Sequence, residues 1–377
     1  MPFAALETPQ LLLDVTKLDA NTARMKAHVE RLGSRLRPHL KTTKSVDLAR
    51  HVLGDLSHPI TVSTLKEADY FAGHGARDIL YAVGIAENKM DHVVALRRKD
   101  VDLTIILDNL ASAAMVVARA AAAEIMVPVL IEIDSDGHRS GVEPQSGALV
   151  AIGRLLEDGA YTLLRGVMTH AGASYDCRTT ACIEKLAAQE RSLTLGSAEM
   201  LREAGMACPV VSIGSTPTAL FSKNLDGVTE VRAGVFMSHD LVMAGLGVCA
   251  PEDIALSVLA TVIGHQPAKG WVITDAGWMA MSRDRGTSGH GIDQGYGLVA
   301  DEYGRLLGDV VVNGANQEHG ILTAHEGKPL DISGFPIGMR LRILPNHACA
   351  TAAQYGEYLV VDSGSEILTR WERINGW

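Results

Sequence analysis

Arg37-Pro38-His39-Leu40-Lys41-Thr42-Thr43-Lys44-Ser45 places a lysine where an extended run has to end. Pro38 lacks an amide hydrogen and pushes Arg37 toward extended geometry, so Leu36–Lys41 reads as a short strand and its exit, not as a helix. Ser45 can cap a helix starting at Val46. Whether this strand stands alone or repeats decides the fold. Seven more β-rich runs follow it: Ile60–Ser63, Ile79–Val83, Leu103–Leu107, Val127–Ile133, Leu164–Thr169, Pro209–Ile213 and Val228–Val231. Between them Leu65–Gly73, Glu87–Arg98, Leu110–Glu124 and Ile183–Ala204 carry apolar residues at helical spacing. Eight such units in about 200 residues predict an α/β fold, a (β/α)8 TIM-type barrel. The alternative, an open doubly wound sheet, usually needs fewer strands. In a barrel, a lysine at the C-terminal end of a strand points into the mouth where chemistry is done, which makes Lys41 the candidate for holding a cofactor. Taken alone the stretch would read as a solvated basic loop, because lysines are mostly surface residues.

After Gly247 the texture changes. Ile254–Ile263, Gly270–Asp275, Arg305–Val312 and Leu341–Leu344 look extended and are separated by glycine-rich links, which predicts an appended β domain. The expected division is a barrel over residues 15–246 and a β-rich domain made of residues 1–14 and 247–377. The extended start Thr8–Asp14 could pair with either. Gly286–Gly297 holds five glycines and reads as a loop over a site. The chain has 377 residues, 47% of them hydrophobic, enough for a large core. A net charge of −10 without a lysine/arginine block argues against nucleic acid as a partner. No basic leader or spanning apolar run appears, so a cytoplasmic protein without membrane contact is expected. Five cysteines, Cys177, Cys182, Cys208, Cys249 and Cys349, without a CxxC pair argue against a disulfide framework.

Four stretches could carry chemistry. Gly214-Ser215-Thr216 follows the seventh run and opens a short helix, a place where backbone amides, hydroxyls and the helix dipole can hold a phosphate; the plain alternative is a helix cap. Arg139, in the turn after the fifth run, could reach a cofactor hydroxyl or a carboxylate, or pair with Asp134 or Asp136. His170 and Tyr175 leave the sixth run; His170 could flank a cofactor ring and Tyr175 hydrogen-bond it, or both could simply pack. His347 and Cys349 are two apart, which on an extended strand puts both on one face and suits a borderline-soft divalent metal; a buried cysteine beside a satisfied histidine is the alternative.

These segments together resemble the fold-type III pyridoxal-phosphate enzymes, specifically the D-serine dehydratase and D-threonine aldolase family. The resemblance runs over nearly the whole chain and is carried by RPHLKTTKS, Gly214-Ser215-Thr216, Asp275–Trp278 (DAGW), Asn316–Gly320 (NQEHG) and Pro345–Thr351 (PNHACAT), with ITVSTLKEA, IEIDSDGHRSGV, PVVSIGSTPTA and GWMAMSRDRG in support. It implies an alanine racemase-like N-terminal barrel, a Schiff-base lysine at Lys41, a phosphate site at Gly214-Ser215-Thr216 and paired metal ligands at His347 and Cys349. It also implies pyridoxal 5'-phosphate and a divalent metal (zinc, manganese, cobalt or magnesium) as cofactors, and a homodimer. Aldolases of the group typically carry aspartate as the second metal ligand and dehydratases cysteine, so Cys349 favours elimination. Relatives usually place aromatic residues before the aspartate matching Asp240, where this chain has Ser238-His239.

The expected reaction is loss of water from a small 3-hydroxy amino acid, with D-threo-3-hydroxyaspartate giving oxaloacetate and ammonia and D-serine giving pyruvate. Lys41 is the expected base, since desolvation and cationic neighbours can lower a lysine pKa. A metal would act as Lewis acid toward the 3-hydroxyl, because hydroxide leaves poorly at neutral pH. Arg139, Arg283, Arg285 and His239 are unranked candidates for a second substrate carboxylate. Tyr175, or else Arg232, is expected at the pyridine nitrogen. The rivals are a D-threonine-type or 3-hydroxyaspartate aldolase, an alanine racemase-type enzyme, which needs no metal pair, and a non-enzymatic pyridoxal-phosphate-binding protein.

Overall fold

Strand Arg35–Pro38 begins a sheet of eight parallel strands in a computed structural model that describes residues 2–377. The other strands are Ile60–Val62, Asp78–Gly84, Asp102–Leu107, Val127–Ile133, Thr162–Thr169, Val210–Ile213 and Glu230–Ala233. Each pairs with its sequence neighbour except at the start, where Arg35–Pro38 lies beside Glu230–Ala233. The remaining gap is bridged by His39 against Thr61, with the Leu40 amide donating to the Thr61 carbonyl at 2.9 Å, so the sheet nearly closes into a TIM-type barrel. All eight runs expected from the sequence are strands, the last of them displaced by two residues. Strands covered on both faces read as continuous apolar runs, and Val127–Ile133 is buried along its whole length. The connecting helices begin where the sequence offers a cap: the side chains of Ser45, Thr64, Asn109, Ser146, Thr179 and Ser215 each accept a backbone N–H three residues on.

The base of the barrel is tied by charge. Arg37 Nε donates to Glu230 Oε2 at 2.8 Å and its Nη1 donates to Asp78 Oδ1 at 2.8 Å. Glu230 and Asp78 are the first residues of their strands, so Arg37 reaches the end opposite to the one at which Lys41 leaves. The Arg37–Glu230 pair is buried on both sides, and removing one of its partners costs about 3–5 kcal/mol.

The chain divides into two compact units, one being Arg24–Gly234 with Gly376–Trp377, the other the segment ending at Ala23 together with Val235–Asn375. The second unit is built on a nine-stranded sheet, antiparallel apart from the pair Gln10–Asp14 and Glu357–Val361. Its longest strand, Leu256–Gln266, pairs with Gln10–Asp14, with Arg340–Pro345 and, past a bulge, with Trp271–Thr274. Six strands thereby join into a ring, because Trp271–Thr274 also continues through Gly320–Ala324, Leu306–Ala315 and Gly297–Asp301 back to Arg340–Pro345. The extended N-terminus joins this β domain: Leu11, Leu12 and Leu13 are all buried there. Gly286–Gly297 is a loop with one short 3-10 turn, Gly286–Gly289. No described helix is long and apolar enough to cross a membrane.

One expectation is corrected. Cys177 and Cys182 form a disulfide, with Cα atoms 5.7 Å apart. Cys177 ends a 3-10 turn, and the cap at Thr179 turns the chain straight into the next helix, which folds Cys182 back onto it. Cys208, Cys249 and Cys349 are not disulfide-bonded.

Candidate active site

Beyond the His39 bridge the chain turns tightly, the Lys44 amide donating to the Leu40 carbonyl at 2.8 Å and Thr43 Oγ1 to the same oxygen at 3.2 Å. Thr42 and Thr43 are buried while Lys41 projects outward, and among the described residues its amine makes no hydrogen bond or ion pair. Lys44 differs. Its Nζ lies 3.3 Å from Glu67 Oε1, a buried carboxylate that also accepts from the Ser63 amide and the Thr64 hydroxyl.

Two histidines flank this exit. His39 Nε2 lies 2.8 Å from Ser63 Oγ, and His170 Nδ1 lies 3.0 Å from the Gly214 carbonyl. Burial, reinforced by the charges of Lys41, Arg232 and Arg139, pushes His39 well below the usual histidine range. Burial and the same three cations hold His170 at about 3, although its bond to Gly214 works the other way. Both rings are therefore neutral in a cationic field. That field suits an anionic ligand.

Gly214 adopts φ +133°, and a Cβ there would sit 2.3 Å from the Arg232 carbonyl oxygen, so only glycine lets the turn pass. Ser215 caps the helix Thr216–Phe221 in a capping box with Thr218, and its hydroxyl also lies 3.0 Å from that of Ser174. The cap expected as the plain alternative is present, within a cluster of hydroxyls beside the glycine turn. Tyr175 lies on the 3-10 turn Gly172–Asp176, its ring centroid 6.2 Å from that of His170. Arg139 pairs with neither aspartate named from the sequence: its guanidinium lies 3.6 Å from Glu132 Oε1, and Asp136 instead accepts from the Ala173 amide at 2.8 Å. Arg232 is committed to the barrel wall, donating to Ser212 Oγ at 2.5 Å and to the Thr169 carbonyl.

In the β domain, His347 and Cys349 do not share a strand. Strand Arg340–Pro345 ends at a proline, His347 is the cap of the short helix Ala348–Ala352, and Cys349 lies inside that helix. The one-face argument from strand periodicity is thus corrected, yet the extended backbone of the capping histidine still leaves the two side chains hydrogen-bonded. His347 Nδ1 lies 2.6 Å from Asp284 Oδ2, and Asp240 Oδ2 accepts the Ala348 amide at 3.0 Å. Burial works against charging the imidazole, but Asp284, Cys349 and Asp240 outweigh it and raise His347 to about 11. The bond to His347 holds Asp284 below the usual carboxylate range. Among the described residues no three His, Cys, Asp or Glu side chains form a metal-holding group. The imidazole Nε2 and the thiol are a two-donor set, and a carboxylate on Nδ1 is the usual way a ligating ring is oriented.

Sequence reading missed Glu67, Glu132, Glu190 and Asp284. Glu67 joins the Thr64 cap three residues before it, a local pattern the sequence does carry, whereas Glu132, Glu190 and Asp284 act on partners brought near by the fold; only the general need of a ligating histidine for a carboxylate could have flagged Asp284.

A barrel whose first strand exits into an unpaired lysine, beside a glycine-hydroxyl turn and two neutral histidines in a cationic field, fits the phosphorylated aldehyde cofactor implied by the resemblance. The relationship is independently visible. Residues 13–240 match the alanine racemase N-terminal domain and residues 255–361 the serine dehydratase domain, and the chain belongs to this family. It is 52% identical to the D-threo-3-hydroxyaspartate dehydratase of Delftia sp. (strain HT23), covering 99% of this chain and 98% of that one. It is 30% identical to a D-serine dehydratase of Dictyostelium discoideum, again over 99% and 98% of the two chains. A solved structure of a D-threo-3-hydroxyaspartate dehydratase mutant in the metal-free form superposes with a TM-score of 0.97 at 51% identity, covering 100% of both chains.

Proposed function

We propose that this protein is a pyridoxal-phosphate- and divalent-metal-dependent lyase that eliminates water from 3-hydroxy amino acids. D-threo-3-hydroxyaspartate is its main substrate, giving oxaloacetate and ammonia, and D-serine a second one, giving pyruvate. The observation that carries the reading is Cys349 in contact with His347, a nitrogen-sulfur donor pair where aldolases of the family carry aspartate. We assign the cofactor to residues 15–246, and the metal ligands to the β-rich remainder, residues 1–14 and 247–377.

Bound pyridoxal phosphate supplies an electron sink for the charge left by a departing Cα proton, and a bound divalent metal supplies a Lewis acid for a hydroxyl oxygen. Lys41 would hold the cofactor through its Nζ and, once the substrate amine has displaced it, the freed Nζ would take the Cα proton, whereas Lys44 is held by Glu67. Gly214, Ser215 and Thr216 would take the phosphate, Arg139 would reach a cofactor hydroxyl, His170 would flank the ring and Tyr175 would meet the pyridine nitrogen. The engagement of Arg232 with Ser212 and Thr169 favours Tyr175 for that last role. His347 Nε2 and Cys349 Sγ take the metal while Asp284 accepts the Nδ1 proton and fixes the ring. For the second substrate carboxylate we choose Arg283. Arg139 and Arg285 face Glu132 and Asp293, whereas Arg283 is exposed and stacks on Trp278, 4.6 Å from the ring centroid. A homodimer in the cytoplasm completes the proposal, and sedimentation of the purified protein tests the dimer.

The test of function is product analysis after incubating the protein, pyridoxal phosphate and manganese or zinc with D-threo-3-hydroxyaspartate. Oxaloacetate with equimolar ammonia supports the reading. Glycine with glyoxylate would make the protein an aldolase, and no turnover of any hydroxy amino acid would leave a binding protein.

A further inference from the structure

The apolar stripe of helix Thr180–Glu203 contains a carboxylate. Ile183, Ala187, Thr194, Ser197 and Leu201 form the buried face, and Glu190 stands in its middle at 1% exposure. A carboxyl group buried this completely has to be hydrogen-bonded or it destabilises the fold. Glu190 Oε1 accepts two backbone N–H groups, from Ala171 at 3.1 Å and from Gly214 at 2.9 Å. Those amides belong to two different strand exits. Ala171 directly follows His170 and leads into the turn that carries Tyr175, and Gly214 opens the Gly214-Ser215-Thr216 turn. His170 meets the Gly214 carbonyl at 3.0 Å, so the two exits are fastened to each other by one imidazole and to the helix behind them by one carboxyl oxygen. Buried apolar side chains could fill this space equally well, but they could not satisfy both amides.

We propose that Glu190 is a positioning residue that clamps the loop bearing His170 and Tyr175 to the glycine-hydroxyl turn, setting the spacing between the ring-binding and phosphate-binding parts of the cofactor site. This rests on the cofactor assignment above, and its test reads the clamp in the protein without cofactor first. Hydrogen exchange is measured on the apoprotein for peptides containing Ala171 and Gly214, in the parent and in Glu190→Gln, Glu190→Asp and Glu190→Leu. Gln retains an acceptor oxygen at the same reach, Asp retains the carboxyl but withdraws it, and Leu removes the acceptor. Exchange at both loops should stay at the parental level in Gln and rise by roughly tenfold or more in Asp and Leu, as expected for losing a buried acceptor shared by two donors. Pyridoxal-phosphate affinity, titrated by absorbance, should follow the same order: within about twofold for Gln and weakened roughly tenfold for Asp and Leu. Asp keeps the comparison interpretable if Leu does not fold. Parental exchange and affinity in Asp would overturn the proposal, as would Gln behaving like Asp. A parent that binds no pyridoxal phosphate would instead count against the cofactor assignment, leaving the exchange result to decide the clamp.

Discussion

The same side chain is driven in opposite directions in the two halves of this protein. At the barrel exit, His39 and His170 are half-buried among Lys41, Arg139 and Arg232 and stay neutral. In the β domain, His347, its side chain 42% exposed, sits against Asp284, Asp240 and Cys349, and is pushed up to about 11. Burial alone lowers a histidine pKa, so the difference lies in the sign of the neighbours. It teaches that one region is prepared for an anion, such as a phosphate or a carboxylate, and the other for a cation. A phosphorylated cofactor and a divalent metal are ligands of those two signs.

The comparison breaks most visibly at Lys41. Lys41→Ala should abolish the visible absorbance of lysine-linked pyridoxal phosphate and lower turnover about a thousandfold or more, while Lys44→Ala, which removes only the partner of Glu67, should retain both. A surviving band in Lys41→Ala would move the cofactor lysine elsewhere. Next in size is Asp284→Asn. Loss of the carboxylate that orients His347 should weaken metal affinity by about 10–100-fold with the cofactor spectrum unchanged, as measured by competition with a metallochromic chelator. Gly214→Ala should destabilise the protein by about 1–3 kcal/mol and weaken pyridoxal-phosphate binding, because the left-handed backbone and the Arg232 carbonyl leave no room for a Cβ. Thermal unfolding with and without cofactor reads both effects.

The smallest expected effect is in the acid limb of stability. Unfolded His170 takes up a proton near pH 6.5, whereas the folded residue refuses it until about pH 3. The unfolded chain therefore binds more protons within that window, so stability is full above pH 6.5 and falls as pH drops through it. His39 acts in the same direction. Denaturant midpoints of the apoprotein from pH 7 to pH 4 should fall less steeply in His170→Gln than in the parent.

The barrel was legible because its signals are local. Ser45 and Thr64 cap the helices that follow their strands, and the β-rich runs alternate with amphipathic helices at a regular pace. That Lys41 follows the exit of the first strand was legible through its place in that count. The contact of His347 with Cys349 was legible but its geometry was not, because strand periodicity was carried past Pro345, where the strand stops and a helix cap begins. The disulfide was missed because a count of cysteines says nothing of a cap that folds six residues back on themselves. Two motif residues hold the fold rather than the reagents. Arg37 ties the barrel base to Glu230 and Asp78, and Asp275 of the DAGW stretch accepts the Thr261 amide at 2.8 Å and the Thr8 hydroxyl, bracing the β domain. Glu190 and Asp284 stayed hidden for one reason. A carboxylate in a sequence does not disclose which amide, amine or imidazole the fold will bring to it.

The most direct test of the two-sided account is to measure bound pyridoxal phosphate and bound divalent metal side by side in Lys41→Ala and Cys349→Ala, each purified and reconstituted identically. The account predicts a crossed result: Lys41→Ala loses the lysine-linked cofactor band and keeps its metal, whereas Cys349→Ala loses metal and keeps the band. If Cys349→Ala binds metal as tightly as the parent, or Lys41→Ala keeps the lysine-linked band, the division of labour described here is contradicted.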